Sequence, residues 1–136
     1  MRHFLRRLCG DDLADDVAQM TFLKAWRSAS SYRGDGSYEG WLLRIAWTQF
    51  LSDRRRYRPM LKDDEPSTPD VNAGIDLSRA LAVLPERERA AALLCLSEGW
   101  SHGEATEILD VPFGTLKSLV ARARARLATY LEGHSA

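Results

Sequence analysis

Residues 84–131 read LPERERAAALLCLSEGWSHGEATEILDVPFGTLKSLVARARARLATYL, and this stretch decides the fold of the second half of the chain. Pro85, followed by acidic residues, predicts the first turn of a helix that ends at Gly99. Proline loses no hydrogen bond in that turn, and acidic side chains suit the positive end of the helix dipole. Ser101 with Glu104 three residues later matches a capping box, which predicts a second, short helix.

The last part of this stretch predicts a tight turn and a long basic helix. Residues 110–112 form the turn, and the helix begins at Thr115. A short helix, a turn and a basic second helix are typical of a helix-turn-helix whose second helix enters the major groove of DNA. At about 100° per residue, one stripe of the long helix is apolar and faces a core: Leu116, Val120, Ala123 and Leu127. The arginines beside it fit either a DNA contact or a solvated helix face, because a basic helix is an electrostatic signal only.

The composition is that of an ordinary globular protein. The 136 residues include 19 basic and 19 acidic side chains, and 45% of the residues are hydrophobic. We expect no membrane insertion, because no apolar run is long enough to span a bilayer. No apolar segment follows the basic residues 1–7, so we expect no signal peptide and a cytoplasmic protein. Cys9 and Cys95 are far apart in sequence and are predicted to be reduced.

The charge is unevenly distributed along the chain. Residues 1–58 carry 11 basic and 7 acidic side chains, whereas residues 59–80 carry 2 and 5, and residues 81–136 carry 6 and 7. The segment 59–76 also holds three prolines and a glycine, which predicts a flexible acidic linker. We therefore predict an all-α protein with two small helical domains, residues 1–58 and residues 77–136, the second a helix-turn-helix.

Three helices are predicted in the first domain. A short one, Met1–Cys9, is broken at Gly10, and longer ones cover about Asp12–Ala29 and Trp41–Tyr57. The Asp12 helix has a predicted core face: Ala14, Val17, Ala18, Thr21, Phe22 and Ala25. Its other face carries Asp16, Gln19, Met20 and Leu23. That mixed face fits a partner-binding surface, or else a contact of Met20 and Leu23 with the short first helix.

The Trp41 helix and the loop before it combine rings with positive charge. They contain Tyr32, Arg33, Tyr38, Trp41, Arg44, Trp47, Phe50, Arg54, Arg55, Arg56 and Tyr57. Rings that stack on unpaired bases, beside guanidinium groups that hold phosphates, are typical of single-stranded DNA binding. Alternatively, at least half of these rings belong to the core.

The two units together resemble one bacterial family, the extracytoplasmic-function sigma factors of RNA polymerase. The sequence DDLADDVAQMTFLKAWRSASSYRGDGSYEGWLLRIAWTQFLSDRRR is similar to sigma region 2, and ALAVLPERERAAALLCLSEGWSHGEATEILDVPFGTLKSLVARARARL is similar to region 4. Both signatures occur in this order, with the acidic linker between them. The resemblance implies a subunit that directs RNA polymerase to specific promoters and helps to open the DNA.

The same resemblance implies a role for particular residues. Docking on the coiled coil of the polymerase β′ subunit would involve Asp16, Gln19, Met20 and Leu23. The opened strand of the minus-ten element would contact Tyr32, Arg33, Ser37, Trp47, Thr48, Gln49, Arg54, Arg55 and Arg56. The duplex of the minus-thirty-five element would contact Thr115, Lys117, Ser118, Arg122 and Arg124. The second unit would also touch the β flap, and an anti-sigma factor is an expected partner.

The chain departs from the family pattern at several positions. Met20 replaces a frequent acidic residue, Trp47 and Thr48 replace a common Arg-Asn pair, Asp110 replaces a glycine of the turn, and Leu119 replaces an arginine. The first helix is also shorter than usual. Leu119 lies at the edge of the apolar stripe in this prediction, and loss of an arginine there would weaken the upstream contact, unless leucine meets a thymine methyl group.

These departures favour one alternative function, a sigma-like decoy that captures an anti-sigma factor without initiating transcription. An independent helix-turn-helix regulator is a third hypothesis, which the aromatic first domain disfavours. The sequence does not predict an enzyme. The three histidines are scattered, no spacing suits a metal site, and no glycine loop suits a phosphate, so we expect no cofactor.

Overall fold

The computed structural model describes residues 1–32, 34, 37–61 and 75–133, without the side chains of residues 31, 55–61, 75, 76 and 78. Every regular element in these ranges is helical, which confirms the predicted all-α class. Seven α-helices are joined by a 3-10 turn at Ala29–Ser31 and a π turn at Leu93–Ser97. The helices are α1 (Arg2–Cys9), α2 (Asp11–Arg27), α3 (Tyr38–Leu61), α4 (Ile75–Ala82), α5 (Glu86–Ala92), α6 (His102–Leu109) and α7 (Phe113–Gly133).

Helices α1 to α3 form the first unit. The break between α1 and α2 lies at Gly10, as predicted, where a φ of 85° favours glycine. Helix α2 packs against both α1 and α3. Its core face contains the predicted residues with one exception, because Phe22 is 45% exposed. Phe22 lies at the edge of the apolar stripe, and the Arg2 guanidinium lies 5.6 Å from its ring centroid.

Helix α3 is longer than predicted at both ends. It begins at Tyr38 instead of Trp41, because the Ser37 hydroxyl accepts a hydrogen bond of 3.0 Å from the Gly40 N–H and so satisfies one free donor of the first turn. At its other end it runs through Leu61, into the segment predicted as linker. The prediction of a flexible linker otherwise falls on residues 62–74, which lie outside the described residues.

The second unit, α4 to α7, contains the predicted helix-turn-helix. Ser101 and Glu104 form the complete capping box at the start of α6. The turn to α7 passes through Asp110, which adopts the left-handed conformation at φ 55° and ψ 54°. Aspartate tolerates this conformation better than most residues, so the turn forms without the glycine that the family commonly has. Helix α7 begins at Phe113, two residues before the predicted start.

The two units share one hydrophobic core. Phe4, Leu5 and Leu8 of α1 are fully buried, and α1 contacts α4, α5 and the π turn as well as α2. Helix α3 of the first unit also packs along α6 of the second. The apolar side chains of the short first helix are therefore buried, and the second unit covers part of them.

Candidate nucleic-acid interface

Helix α7 divides into a buried stripe and an exposed polar surface. All five residues predicted to contact duplex DNA have exposed side chains: Thr115, Lys117, Ser118, Arg122 and Arg124. Leu116, Val120 and Ala123 are buried, as predicted. Leu119 is buried too, at 7% exposure. The alternative in which the Leu119 side chain meets a thymine methyl group is therefore wrong in this arrangement, because that side chain packs in the hydrophobic core.

An exposed aromatic ring that was not among the predicted site residues lies at the start of α7. Phe113 is 55% exposed. The Lys117 ammonium lies 5.8 Å from its ring centroid, and the His102 ring of α6 lies 6.3 Å away, centroid to centroid. These contacts hold Phe113 between the two helices of the motif. The signal in the sequence was an aromatic residue at the first helical position after the turn.

One arginine of α7 has a structural partner. The Arg126 Nε atom lies 2.9 Å from a carboxylate oxygen of Glu88 on α5, whose side chain is only 5% exposed. The two atoms lack the alignment of a hydrogen bond, so the contact is an ion pair. Arg126 therefore compensates a buried negative charge, which distinguishes it from Arg122 and Arg124.

The mixed face of α2 is exposed to solvent. Asp16 and Gln19 have exposed side chains, and Met20 and Leu23 are 40% and 41% exposed. Both apolar side chains therefore keep a large exposed fraction, and their contact with α1, the alternative for them, stays a prediction. Trp26, which lies seven residues after Gln19 and so on the same side of the helix, is 83% exposed. Trp26 was not among the predicted site residues, although an indole at heptad spacing from the mixed face was the available signal.

Three rings cluster where the loop meets α3. The Tyr32 and Trp41 centroids are 5.3 Å apart, and Tyr38 lies 5.6 Å from each of them. Tyr38 is 54% exposed, whereas Tyr32 and Trp41 are half-buried. This ring cluster presents partly open aromatic faces, which suits stacking on unpaired bases.

The predicted strand contacts within α3 are not all accessible. Trp47 is 3% exposed and packs on Phe50, with a centroid distance of 5.6 Å. Gln49 is 4% exposed, and its amide donates a 2.8 Å hydrogen bond to the carboxylate of Asp53. Neither side chain can meet DNA in this arrangement, contrary to the prediction. Thr48 is exposed, and its hydroxyl donates to the Arg44 carbonyl at 2.9 Å.

Arg54, the first of the predicted phosphate contacts near the end of α3, already has an acidic partner. Arg54 forms an ion pair with Glu86, the first residue of α5, and both side chains are about one-third exposed. The Arg54 guanidinium is therefore already engaged in an ion pair with the second unit. Arg33 and the side chains of Arg55 and Arg56 lie outside the described residues.

A buried guanidinium lies where the two units meet. Arg89 of α5 donates hydrogen bonds to the carbonyls of Leu81 and Leu84, both at 2.8 Å, and to that of Leu8 at the end of α1. Burial lowers the pKa of Arg89, and the Glu86 carboxylate opposes this shift. Burial also raises the pKa of the nearby Cys9 thiol to about 12, so this cysteine is an unreactive packing residue.

Both cysteines are free thiols, as predicted. Among the described residues, no group of three or more histidine, cysteine or acidic side chains is arranged to hold a metal ion. Within the same ranges, none of the helices combines the length and the apolar character that a membrane crossing takes.

Both units match known protein families in sequence. The sigma-70 region 2 family matches residues 1–59, and the sigma-70 region 4 family matches residues 75–127. The chain is 39% identical over 137 residues to the ECF RNA polymerase sigma factor SigE of Mycolicibacterium smegmatis, across 90% of the chain but only 53% of that relative. It is 38% identical over 138 residues to the ECF RNA polymerase sigma factor SigM of Mycobacterium tuberculosis, across 95% of the chain and 70% of that relative.

Solved structures share the arrangement of helices. The sigma factor RpoE from Bartonella quintana, in complex with the anti-sigma factor NepR, superposes with a TM-score of 0.80 at 30% identity, over 96% of this chain and 89% of that one. CnrH in complex with the cytosolic domain of CnrY gives a TM-score of 0.71 at 24% identity, over 98% and 80%. The second match indicates the fold alone.

Proposed function

This chain belongs to the extracytoplasmic-function RNA polymerase sigma factors, and we propose that it directs RNA polymerase to specific promoters and holds the DNA that is opened there. One observation carries the proposal: the five side chains of α7 that the family uses on duplex DNA are all exposed, while the opposite stripe of the same helix is buried. A recognition helix must divide its surface in this way to reach the major groove.

The second unit is proposed to recognise the upstream promoter element. Lys117, Ser118 and Arg122 are candidates for base edges and phosphates, and Thr115 and Arg124 flank them. Lysine and arginine favour guanine acceptors and phosphates, and serine bonds to several bases. Arg126 is left out of this set because it compensates the buried Glu88.

The exposed face of α2 is proposed to dock on the coiled coil of the polymerase β′ subunit. Asp16 and Gln19 supply polar contacts, and Met20, Leu23 and Trp26 supply apolar area. Trp26 is the strongest candidate for an energetic anchor, because tryptophan dominates interfaces and this one is 83% exposed.

The ring cluster of Tyr32, Tyr38 and Trp41 is proposed to stack on bases of the opened strand. Thr48 of α3 is a further candidate contact because its side chain is exposed, and Ser37 caps the start of the helix. We further propose an anti-sigma factor as a regulatory partner, because the related RpoE of Bartonella quintana forms a complex with the anti-sigma factor NepR. A promoter-recognition subunit acts where the polymerase is, so we propose the cytoplasm as its location.

The test is run-off transcription with core RNA polymerase, the full chain and a genomic promoter library. We expect transcripts that need the chain and that share a two-part upstream motif. Trp26→Ala should weaken capture of the β′ coiled coil by about tenfold or more, while Glu107→Ala, an exposed site on α6, should leave it unchanged. Transcripts identical to those of core polymerase alone would refute the proposal, and capture of an anti-sigma factor without transcription would favour the decoy hypothesis.

A further inference from the structure

The start of helix α7 presents an aromatic ring at the place where a recognition helix meets DNA. Phe113 is the first residue of α7 and is 55% exposed. Lys117, one of the predicted duplex contacts, lies one turn further along, and its ammonium is 5.8 Å from the centroid of the Phe113 ring. In a helix-turn-helix, the N-terminal residues of the second helix contact the base edges. The Phe113 ring therefore borders the surface that is proposed to read the upstream element.

The Phe113 ring is held in place although it is exposed. The ring of His102, the first residue of α6, lies 6.3 Å away, centroid to centroid, at an interplanar angle of 53°. The Lys117 ammonium adds an attraction between a cation and the aromatic ring. A side chain that its neighbours already restrict loses little conformational entropy when a partner binds. The two neighbours of Phe113 thus prepare its ring for a contact outside the chain.

The residue after Phe113 is a glycine that the fold does not require. Gly114 is exposed within α7, and a Cβ atom built on it would meet none of its neighbours among the described residues within 4 Å. Glycine weakens a helix, because it loses more conformational freedom on folding than any other residue. The close approach of an external partner gives a physical reason for glycine at this position. That partner would come within reach of the Phe113 ring.

Phe113 is also the apolar side chain of α7 that is placed to meet a base. The large hydrophobic residues of α7 that are exposed are Phe113 and Leu131, and Leu131 lies about 27 Å further along the helix. Leu119, the alternative for a contact with thymine, is buried. The apolar group that a base presents in the major groove is the 5-methyl group of thymine, and phenylalanine is among the side chains that contact it.

We propose that Phe113 is a specificity-determining residue, whose ring contacts the 5-methyl group of one thymine in the upstream promoter element. This inference rests on the proposed promoter function and adds to it one residue and the chemical group that the residue recognises. Lys117, beside the ring, then binds a neighbouring phosphate or base acceptor. Burial of a single methyl group corresponds to about a fourfold gain in affinity.

The test removes the methyl group from the DNA and the ring from the protein. The holoenzyme of core RNA polymerase and the full chain is titrated with the promoter duplex that run-off transcription identifies. Each thymine of the upstream element, on either strand, is replaced in turn by deoxyuridine, which lacks only the methyl group. We expect one position at which the wild-type holoenzyme loses about fourfold in affinity, while the Phe113→Ala holoenzyme loses nothing there.

Three further variants separate the methyl contact from a general loss of binding. Leu131→Ala is the matched control, because it removes an exposed apolar side chain from the far end of the same helix and should keep the fourfold difference. Phe113→Leu retains an apolar side chain and should keep part of the difference. Gly114→Ala should weaken binding to thymine and deoxyuridine duplexes alike, although alanine favours the helix. Circular dichroism checks that each variant is folded.

Several outcomes would overturn the proposal. One is a wild-type holoenzyme that distinguishes no thymine from deoxyuridine, and another is a Phe113→Ala holoenzyme that keeps the difference. An equal loss by Phe113→Ala on both duplexes, with a salt slope lower by about one, would mean that the ring only positions Lys117. Weaker binding of Phe113→Ala to core polymerase would assign the ring to a protein contact. Unchanged binding by Gly114→Ala would contradict the close approach of DNA.

The proposed function is tested separately by the wild-type chain. Run-off transcription from promoters with a two-part motif would uphold promoter recognition whatever the deoxyuridine duplexes show, so a failure there would refute the role of Phe113 alone. Absence of transcription, or of any shared upstream motif, would refute both the promoter function and the contact of Phe113.

Discussion

The Arg89 guanidinium of the second unit donates a hydrogen bond to the Leu8 carbonyl at the end of α1. The same group also binds the carbonyls of Leu81, Ala82 and Leu84 in its own unit. Five N–H donors in a planar fork can serve several carbonyls at once, more than any other side chain offers. Arg89 therefore satisfies the end of α1, the end of α4 and the turn before α5 together.

The first prediction concerns this network. Arg89→Met keeps an unbranched apolar stem but leaves several carbonyls without a donor, and it should lower the free energy of unfolding by roughly 2–4 kcal/mol. Arg87→Met, at an exposed position two residues earlier, should change it by less than about 0.5 kcal/mol. Urea unfolding of both variants measures the difference. Equal stability of the two variants would mean that water molecules donate the hydrogen bonds that the Arg89 guanidinium donates in the native chain.

The second prediction concerns the ion pair of α5 and α7. Arg126→Ala leaves the Glu88 carboxylate, 5% exposed, without its positive partner. Breaking a buried pair is costly, but the arginine side chain is 56% exposed, so solvent screening reduces the loss to about 1–2 kcal/mol. Thermal unfolding should show this loss for Arg126→Ala and not for Arg124→Ala. If both variants lose the same stability, the ion pair contributes nothing specific.

The third prediction concerns the acid stability of α6. Hydrogen bonds from the backbone, then the side chain, of Ser101 lower the pKa of Glu104 from its ordinary value. Because the folded-state pKa is the lower one, this contribution to stability is present above the unfolded pKa and is lost as the pH falls through the folded pKa. Glu104→Gln should remove that part of the acid dependence, and Ser101→Ala should raise the pKa of Glu104.

Carbon-13 titration of the Glu104 carboxyl, with unfolding curves at several pH values, measures both effects. The matched control is Glu107→Gln on the exposed side of the same helix. An unchanged Glu104 pKa in Ser101→Ala would show that the backbone hydrogen bond alone holds it down.

The fourth prediction concerns the position where the family commonly has arginine. Leu119→Arg should destabilise the second unit by about 3 kcal/mol or more, because it removes a buried apolar side chain and places a charge in the core. Ala121→Arg adds the same charge at an exposed position of α7 and should leave stability nearly unchanged. Chemical denaturation distinguishes them. Stronger duplex binding by a fully folded Leu119→Arg would contradict the buried placement.

The sequence by itself determined the features that depend on neighbouring residues. The capping box of Ser101 and Glu104, the break at Gly10 and the apolar stripe of α7 follow from local hydrogen bonds, backbone conformation and helical periodicity. The all-α class follows from these features, and the family from the resemblance of both units. Among the site residues, the exposed polar face of α7 was also predictable, because the opposite stripe of the same helix had to face a core.

Only the tertiary structure decided which side chains another helix covers. Trp47 and Trp26 each lie within a predicted helix, yet Trp47 is 3% exposed and Trp26 is 83% exposed. The pairs Arg54–Glu86 and Arg89–Leu8 join residues 32 and 81 positions apart. Helical periodicity gives the direction of a side chain from its own axis and carries no information about the helix that packs there. The packing of the second unit on α3 depends on contacts that only the folded chain brings together.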